Sequence, residues 1–103
     1  QGLAKPELWG RMAESAVGSY LMNQSHTDGF KIFYWRDRDH EVDFVLEKGG
    51  RVVALEVKSG YKHKTSGLES FKKQFNPATL LLIGNGGISF EEFLQIPTRQ
   101  LFQ

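Results

Sequence analysis

Apolar and polar residues alternate along two neighbouring stretches, 40–46 and 51–58, separated by Glu47-Lys48-Gly49-Gly50. In the first stretch Val42, Phe44 and Leu46 are expected on one side, with Glu41, Asp43 and Val45 on the other. In the second, Val53, Leu55 and Val57 share a face and Ala54, Glu56 and Lys58 share the opposite one. The Gly-Gly step supplies the positive φ that a tight hairpin demands. The spacing thus predicts a hairpin that can bring Asp43 close to Glu56 and Lys58. Upstream, Phe30 to Arg36 is aromatic and β-rich, a first strand that turns at Asp37 to His40 into the hairpin and completes a three-stranded antiparallel meander.

Elsewhere the period is helical. Trp9, Met12, Ala13, Ala16, Val17, Tyr20 and Leu21 recur at helical spacing behind Pro6, predicting a helix from Pro6 to about Met22, followed by a polar loop at Asn23–Gly29. After Lys58 the stretch to Thr65 leads into a second helix. There Ser66 and Glu69 form a capping-box pattern, Leu68, Phe71 and Phe75 supply the apolar side, and Asn76-Pro77 ends it. Thr79–Ile83 is an unbroken apolar run, as expected for a strand covered on both faces. A strand–helix–strand crossover is right-handed and makes this fourth strand parallel to the third. Gly84–Gly87 reads as a plain turn. Ser89 with Glu92 caps a last short helix, with Phe90, Phe93 and Leu94 inward, that Pro97 breaks. The expected class is α/β, in one domain spanning residues 1–103: helix, antiparallel meander, crossover helix, parallel fourth strand, short C-terminal helix.

Composition narrows the range of functions. A chain of 103 residues, 40% apolar and 13% aromatic, supports one globular core. The absence of cysteine removes disulfides and thiolate zinc sites and fits a reducing compartment. No apolar run approaches the roughly 20 residues of a membrane span, and nothing resembles a signal peptide, so the expected location is cytoplasmic. A net charge of +1 does not by itself mark a nucleic-acid binder. No complete Walker loop is present, so ATPase chemistry is not expected of this segment.

Charge placement raises a more specific question. Asp, Glu and Lys are depleted in strands, and two adjacent carboxylates repel unless a cation or proton lies between them. A divalent metal resolves that conflict, since hard oxygen ligands suit Mg²⁺ and few protein ligands leave room for water. The bland alternative is an amphipathic strand with a solvated polar face and a Glu–Lys cross-strand pair. His40 stands beside the acidic residues without further imidazoles at ligand spacing, and reads as a bystander. Arg36 and Arg38 sit at a hairpin tip where they either meet solvent or touch a phosphate. Lys58, Lys62, Lys64, Lys72 and Lys73 fall in a window whose one acid is Glu69. They form either a phosphate-tracking rim or a loop and helix face kept soluble by lysine.

Asp43, followed across a hairpin by Glu56-Val57-Lys58, resembles the D…(D/E)-x-K signature of the PD-(D/E)XK nuclease superfamily. The wider set is Gly10-Arg11-Met12-Ala13-Glu14, Tyr34-Trp35-Arg36-Asp37, Glu41-Val42-Asp43-Phe44, Glu56-Val57-Lys58-Ser59-Gly60 and Ile96-Pro97. It is similar to the nuclease-like domain of unknown function at the C-terminus of many prokaryotic AAA-type ATPases. The likeness runs from about Trp9 to Phe102. It implies a restriction-endonuclease-like core, and a chain that is a C-terminal part of a longer ATPase. It also implies phosphodiester hydrolysis of nucleic acid, with Asp43 and Glu56 as ligands of Mg²⁺ or Mn²⁺. Lys58 would orient and help deprotonate the attacking water or stabilise charge on the scissile phosphate, and Glu14 would join from the first helix. Arg36, Lys62, Lys64 and Lys72 are the expected nucleic-acid contacts. Two positions depart from the pattern: Val42 stands where the superfamily has its proline, and Gln74 is followed by Ala78 rather than the tyrosine of the RecB-like branch. The rival reading is a non-catalytic regulatory or docking module of an ATPase. Oligomers are compatible with either, since the aromatic strand carrying Phe33 and Trp35 suits a core or a subunit contact.

Overall fold

The structure, a computed structural model, describes residues 3–4, 16–58, 67–84 and 86–103. In chain order its elements are β1 (Leu3–Ala4), α1 (Ala16–Asp28), β2 (Lys31–Asp37), β3 (His40–Lys48) and β4 (Arg51–Lys58), then α2 (Leu68–Phe75), β5 (Thr79–Gly84), α3 (Phe90–Leu94) and α4 (Thr98–Leu101). The strands form one sheet in the order β1-β2-β3-β4-β5. All neighbours are antiparallel except β4 and β5, which run parallel. The expected α/β order is therefore present, with two additions: the edge strand β1, and α4 beyond Pro97.

Local chemistry explains the meander. Gly49 and Gly50 both take positive φ, 58° and 85°, closing β3 onto β4 with Lys48 opposite Arg51. Glu47 reinforces the turn by accepting a 3.1 Å hydrogen bond at Oε2 from the Gly50 N–H. The β2–β3 turn has no glycine, and Arg38 itself adopts a left-handed φ of 63°.

Each face of the sheet holds its own apolar cluster. Phe44, Leu46, Val53, Leu55 and Ile83 face α1, α3 and α4 through Val17, Leu21, Phe93 and Leu101. Val42, Val45, Ala54 and Trp35 face α2 through Phe71. Trp35 is buried and meets Phe71 edge-on at 5.3 Å, so this aromatic strand fills the core.

The structure corrects several expectations. Strict alternation in the first arm fails: Phe33 pairs with Val45 but Trp35 pairs with Val42, so three steps along β3 match two along β2. This β-bulge lies at Asp43–Phe44 and turns Val42 onto the face of Val45 instead of that of Phe44. The supposed loop at Asn23–Gly29 is helical through Asp28, because its polar side chains serve as the solvent side of α1 and Gly29, at φ 73°, ends the helix. The earlier part of the expected helix, residues 6–15, lies outside the described residues. For α2 the N-cap is Gly67 without a side-chain cap, not the expected Ser66. Docking fixes the start instead: the Gly67 N–H donates to the Glu41 carbonyl at 2.9 Å, and a Cβ on Gly67 would stand 2.7 Å from that oxygen. β5 packs on both faces as expected, Leu81 and Ile83 in one cluster and Leu80 against the other. It is an edge strand in which Ile83 is buried while Thr79–Leu82 are half-buried. The Ser89–Glu92 capping box is complete, with Glu92 N–H donating to Ser89 Oγ and Ser89 N–H to Glu92 Oε1.

Candidate functional site

The ladder between β3 and β4 begins at the Gly-Gly turn and stops at Phe44 opposite Leu55. One residue further along each strand stand Asp43 and Glu56, 5% and 2% exposed, the two buried carboxylates among the described residues. The β3–β4 pairing ends beside the bulge that β3 makes against β2, and here the Asp43 side chain takes up a β4 backbone donor: Oδ2 accepts a 2.8 Å hydrogen bond from the Val57 N–H. That contact fixes the Asp43 carboxyl against the peptide joining Glu56 to Val57. Re-aiming a side chain in this way is a recurrent use of bulges near functional sites.

Lys58 ends β4, exposed, two residues beyond Glu56 and therefore on the same side of the strand. It pairs with Gly84 at the carboxyl end of the parallel β5. Only glycine fits there: Gly84 takes φ 110°, and a Cβ would lie 2.2 Å from the Lys58 carbonyl oxygen. Glu56 and Lys58 thus occupy the carboxyl end of a parallel strand pair, where ligands of open α/β sheets commonly bind.

The structure sets Asp43 and Glu56 one residue beyond the last β3–β4 pair, each on its own strand, with Lys58 following Glu56 on β4. Arg36 is exposed at the β2–β3 tip, where its Nε donates to the Arg38 carbonyl at 2.9 Å. Lys72 is exposed on α2. The tip and α2 adjoin, since Gln74 Nε2 donates to Asp37 Oδ2 at 3.0 Å. Glu14, Lys62 and Lys64 lie outside the described residues. His40 has Nε2 3.8 Å from Asp39. Among the described residues no group of three His, Asp or Glu side chains converges on one point. Two buried carboxylates are an oxygen donor set of the kind Mg²⁺ or Mn²⁺ accepts alongside water. Two features were beyond sequence reasoning: the Val57 N–H, which as a backbone donor leaves no signature, and Gln74, whose partner is far away in sequence.

No helix among the described residues is long and apolar enough to cross a membrane. Comparison with curated proteins finds no match, and neither does comparison with solved structures. A family model, the domain of unknown function DUF4143, matches residues 9–101, nearly the whole chain and every element from α1 to α4. The chain therefore belongs to the DUF4143 family, the C-terminal domain of AAA-type ATPases.

Proposed function

We propose that this domain hydrolyses phosphodiester bonds of nucleic acid in a metal-dependent reaction of the PD-(D/E)XK type. One observation carries the reading: Asp43 and Glu56 are both withdrawn from solvent where the β3–β4 ladder ends, and Asp43 is held there by the Val57 N–H. Withdrawing two carboxylates from water is costly, and a shared cation offsets the cost. Asp43 and Glu56 would hold Mg²⁺ or Mn²⁺. When bound, such an ion lowers the pKa of a water molecule and neutralises charge developing on phosphate. The remaining work belongs to the chain. Val57 keeps Asp43 oriented, and Lys58, exposed beside them, orients the attacking water or meets the scissile phosphate. Glu14 would assist as a further carboxylate. Arg36, Lys62, Lys64 and Lys72 contact the nucleic-acid backbone, on a polypeptide that also carries an ATPase domain.

The test is cleavage of supercoiled plasmid and of labelled single strands with Mg²⁺ and then Mn²⁺, with Asp43→Ala and Lys58→Ala proteins purified identically. Both substitutions are expected to reduce cleavage by about 10²-fold or more. Calorimetric metal binding should disappear in Asp43→Ala. Cleavage indifferent to both substitutions, or neither cleavage nor metal binding in the parent protein, would overturn the proposal and favour a docking module.

A further inference from the structure

α2 ends in an aromatic stack whose outer ring reaches the surface. Phe71 and Phe75 stack at 23° with ring centroids 4.5 Å apart; Phe71 is buried and Phe75 is 36% exposed. Trp35 stands edge-on to both rings, 5.3 Å from Phe71 and 6.1 Å from Phe75. Being nearer to Phe71, it lies beside the stack and does not cap its outer end. Among the described residues no ring lies against the second face of Phe75. Phe75 lines a cavity of about 250 Å³ together with Gly50, Val52, Asn76, Pro77 and Ala78. The elements that frame this cavity are cationic in balance. The hairpin turn and α2 carry Lys48, Arg51, Lys72 and Lys73, all exposed, against Glu47 and Glu69. Arg51 gives one N–H to the Phe102 carbonyl and keeps the other donors of its guanidinium.

We infer, building on the proposed nuclease activity, that this cavity receives one unpaired base of a single-stranded nucleic acid. The base extends the Phe71–Phe75 stack, and the flanking phosphates meet the surrounding cations. A ring at the surface beside lysine and arginine is how single strands are commonly held, since every base has a π-face and every phosphate a charge. A duplex gains little from such a ring, because its internal bases are already stacked on both sides. Position agrees with this occupant. Val52 precedes Glu56 by four residues on β4, about 13 Å along the strand. α2 covers that interval, with Phe71 and Ala54 in one cluster. A strand running from the cavity towards Lys58 therefore passes over α2, where Lys72 and Lys73 are exposed.

Fluorescence anisotropy of the 103-residue chain without divalent metal, which leaves the probes uncut, tests the inference. The probes are labelled oligothymidylate, oligouridylate and a blunt duplex of equal length. At least one single strand is expected to bind ~5-fold or more tightly than the duplex, and the tighter of the two identifies the sugar. Phe75→Leu keeps apolar bulk and removes the ring. It should weaken single-strand binding at least ~5-fold and leave duplex binding unchanged, with circular dichroism confirming that the variant is folded. Phe75→Trp should retain the affinity, and its indole emission should be quenched as the oligomer is added, a signal that a purely structural ring would not give. Equal affinity for single strand and duplex, no binding of either, or parent-like binding by folded Phe75→Leu overturns the inference. Metal-dependent cleavage alongside such a result leaves the nuclease activity standing. Phe75-dependent binding of single strands by a chain that neither cleaves nor binds metal overturns that activity alone.

Discussion

Tyr20 illustrates how a single side chain records its surroundings. Its hydroxyl donates to the Ile96 carbonyl at 3.4 Å, and its ring meets Phe93 edge-on at 5.6 Å. Burial pushes the phenol above its ordinary 10.0, and the nearby negative charge of Asp28 adds to the rise. A group with a raised folded pKa contributes its stability fully below the unfolded value and loses it as pH climbs through the folded one. Stability from Tyr20 is therefore intact up to about pH 10 and declines above it. Ultraviolet titration of the phenolates, assigned with Tyr20→Phe, should show Tyr20 ionising above 10.0. Asp28→Asn should bring that titration closer to 10.0. At the same scale, the key carboxylates were legible in the sequence because Asp and Glu are out of place in apolar strands. How they are held was not, because the Val57 N–H that grips Asp43 belongs to every residue type but proline.

At the scale of elements, α2 shows how tertiary contact overrides local signals. Ser66 and Glu69 spell a capping box, yet the helix starts one residue later, where Gly67 presses against the backbone of Glu41. Gly67→Ala would thrust a methyl group to within 2.7–2.9 Å of Glu41 backbone atoms. The expected cost is about 1–3 kcal/mol, as for other overpacked interfaces, read as a lower urea midpoint with unchanged slope. The strands were legible from their period of two, and the crossover from the order strand, helix, apolar strand. The bulge at Asp43–Phe44 was not, because an inserted residue leaves each arm's composition intact and shifts only its phase. The extension of α1 was missed for a related reason: Asn23, Ser25 and Asp28 have turn chemistry, and on a solvated helix face that preference is tolerated.

At the scale of the whole molecule, the C-terminal segment is tied to the end of α1 and to the starts of β4 and β5. Thr98 donates to Asp28, Thr79 Oγ1 donates to the Leu101 carbonyl at 2.6 Å, and Arg51 Nη1 donates to the Phe102 carbonyl at 2.7 Å. Leu101 and Phe102 are 4% and 7% exposed. Each such side chain is worth roughly 1.5–3 kcal/mol of burial, against a typical total of about 5–15 kcal/mol for a domain. Truncation after Ile96 should therefore abolish cooperative unfolding, seen as loss of a sigmoidal denaturation curve. The Asp43–Val57 contact has the opposite dependence on distant parts of the chain. It is formed inside one hairpin, fourteen residues apart in sequence, whereas β5 must wait for a crossover to close. Short loops close at little entropic cost and long-range parallel pairing is slow. The grip on Asp43 is thus available to the chain early, before the strand beside it has docked. Late-folding defects at the sheet edge would deplete the population of finished molecules and leave the geometry of that grip, in those that finish, unchanged.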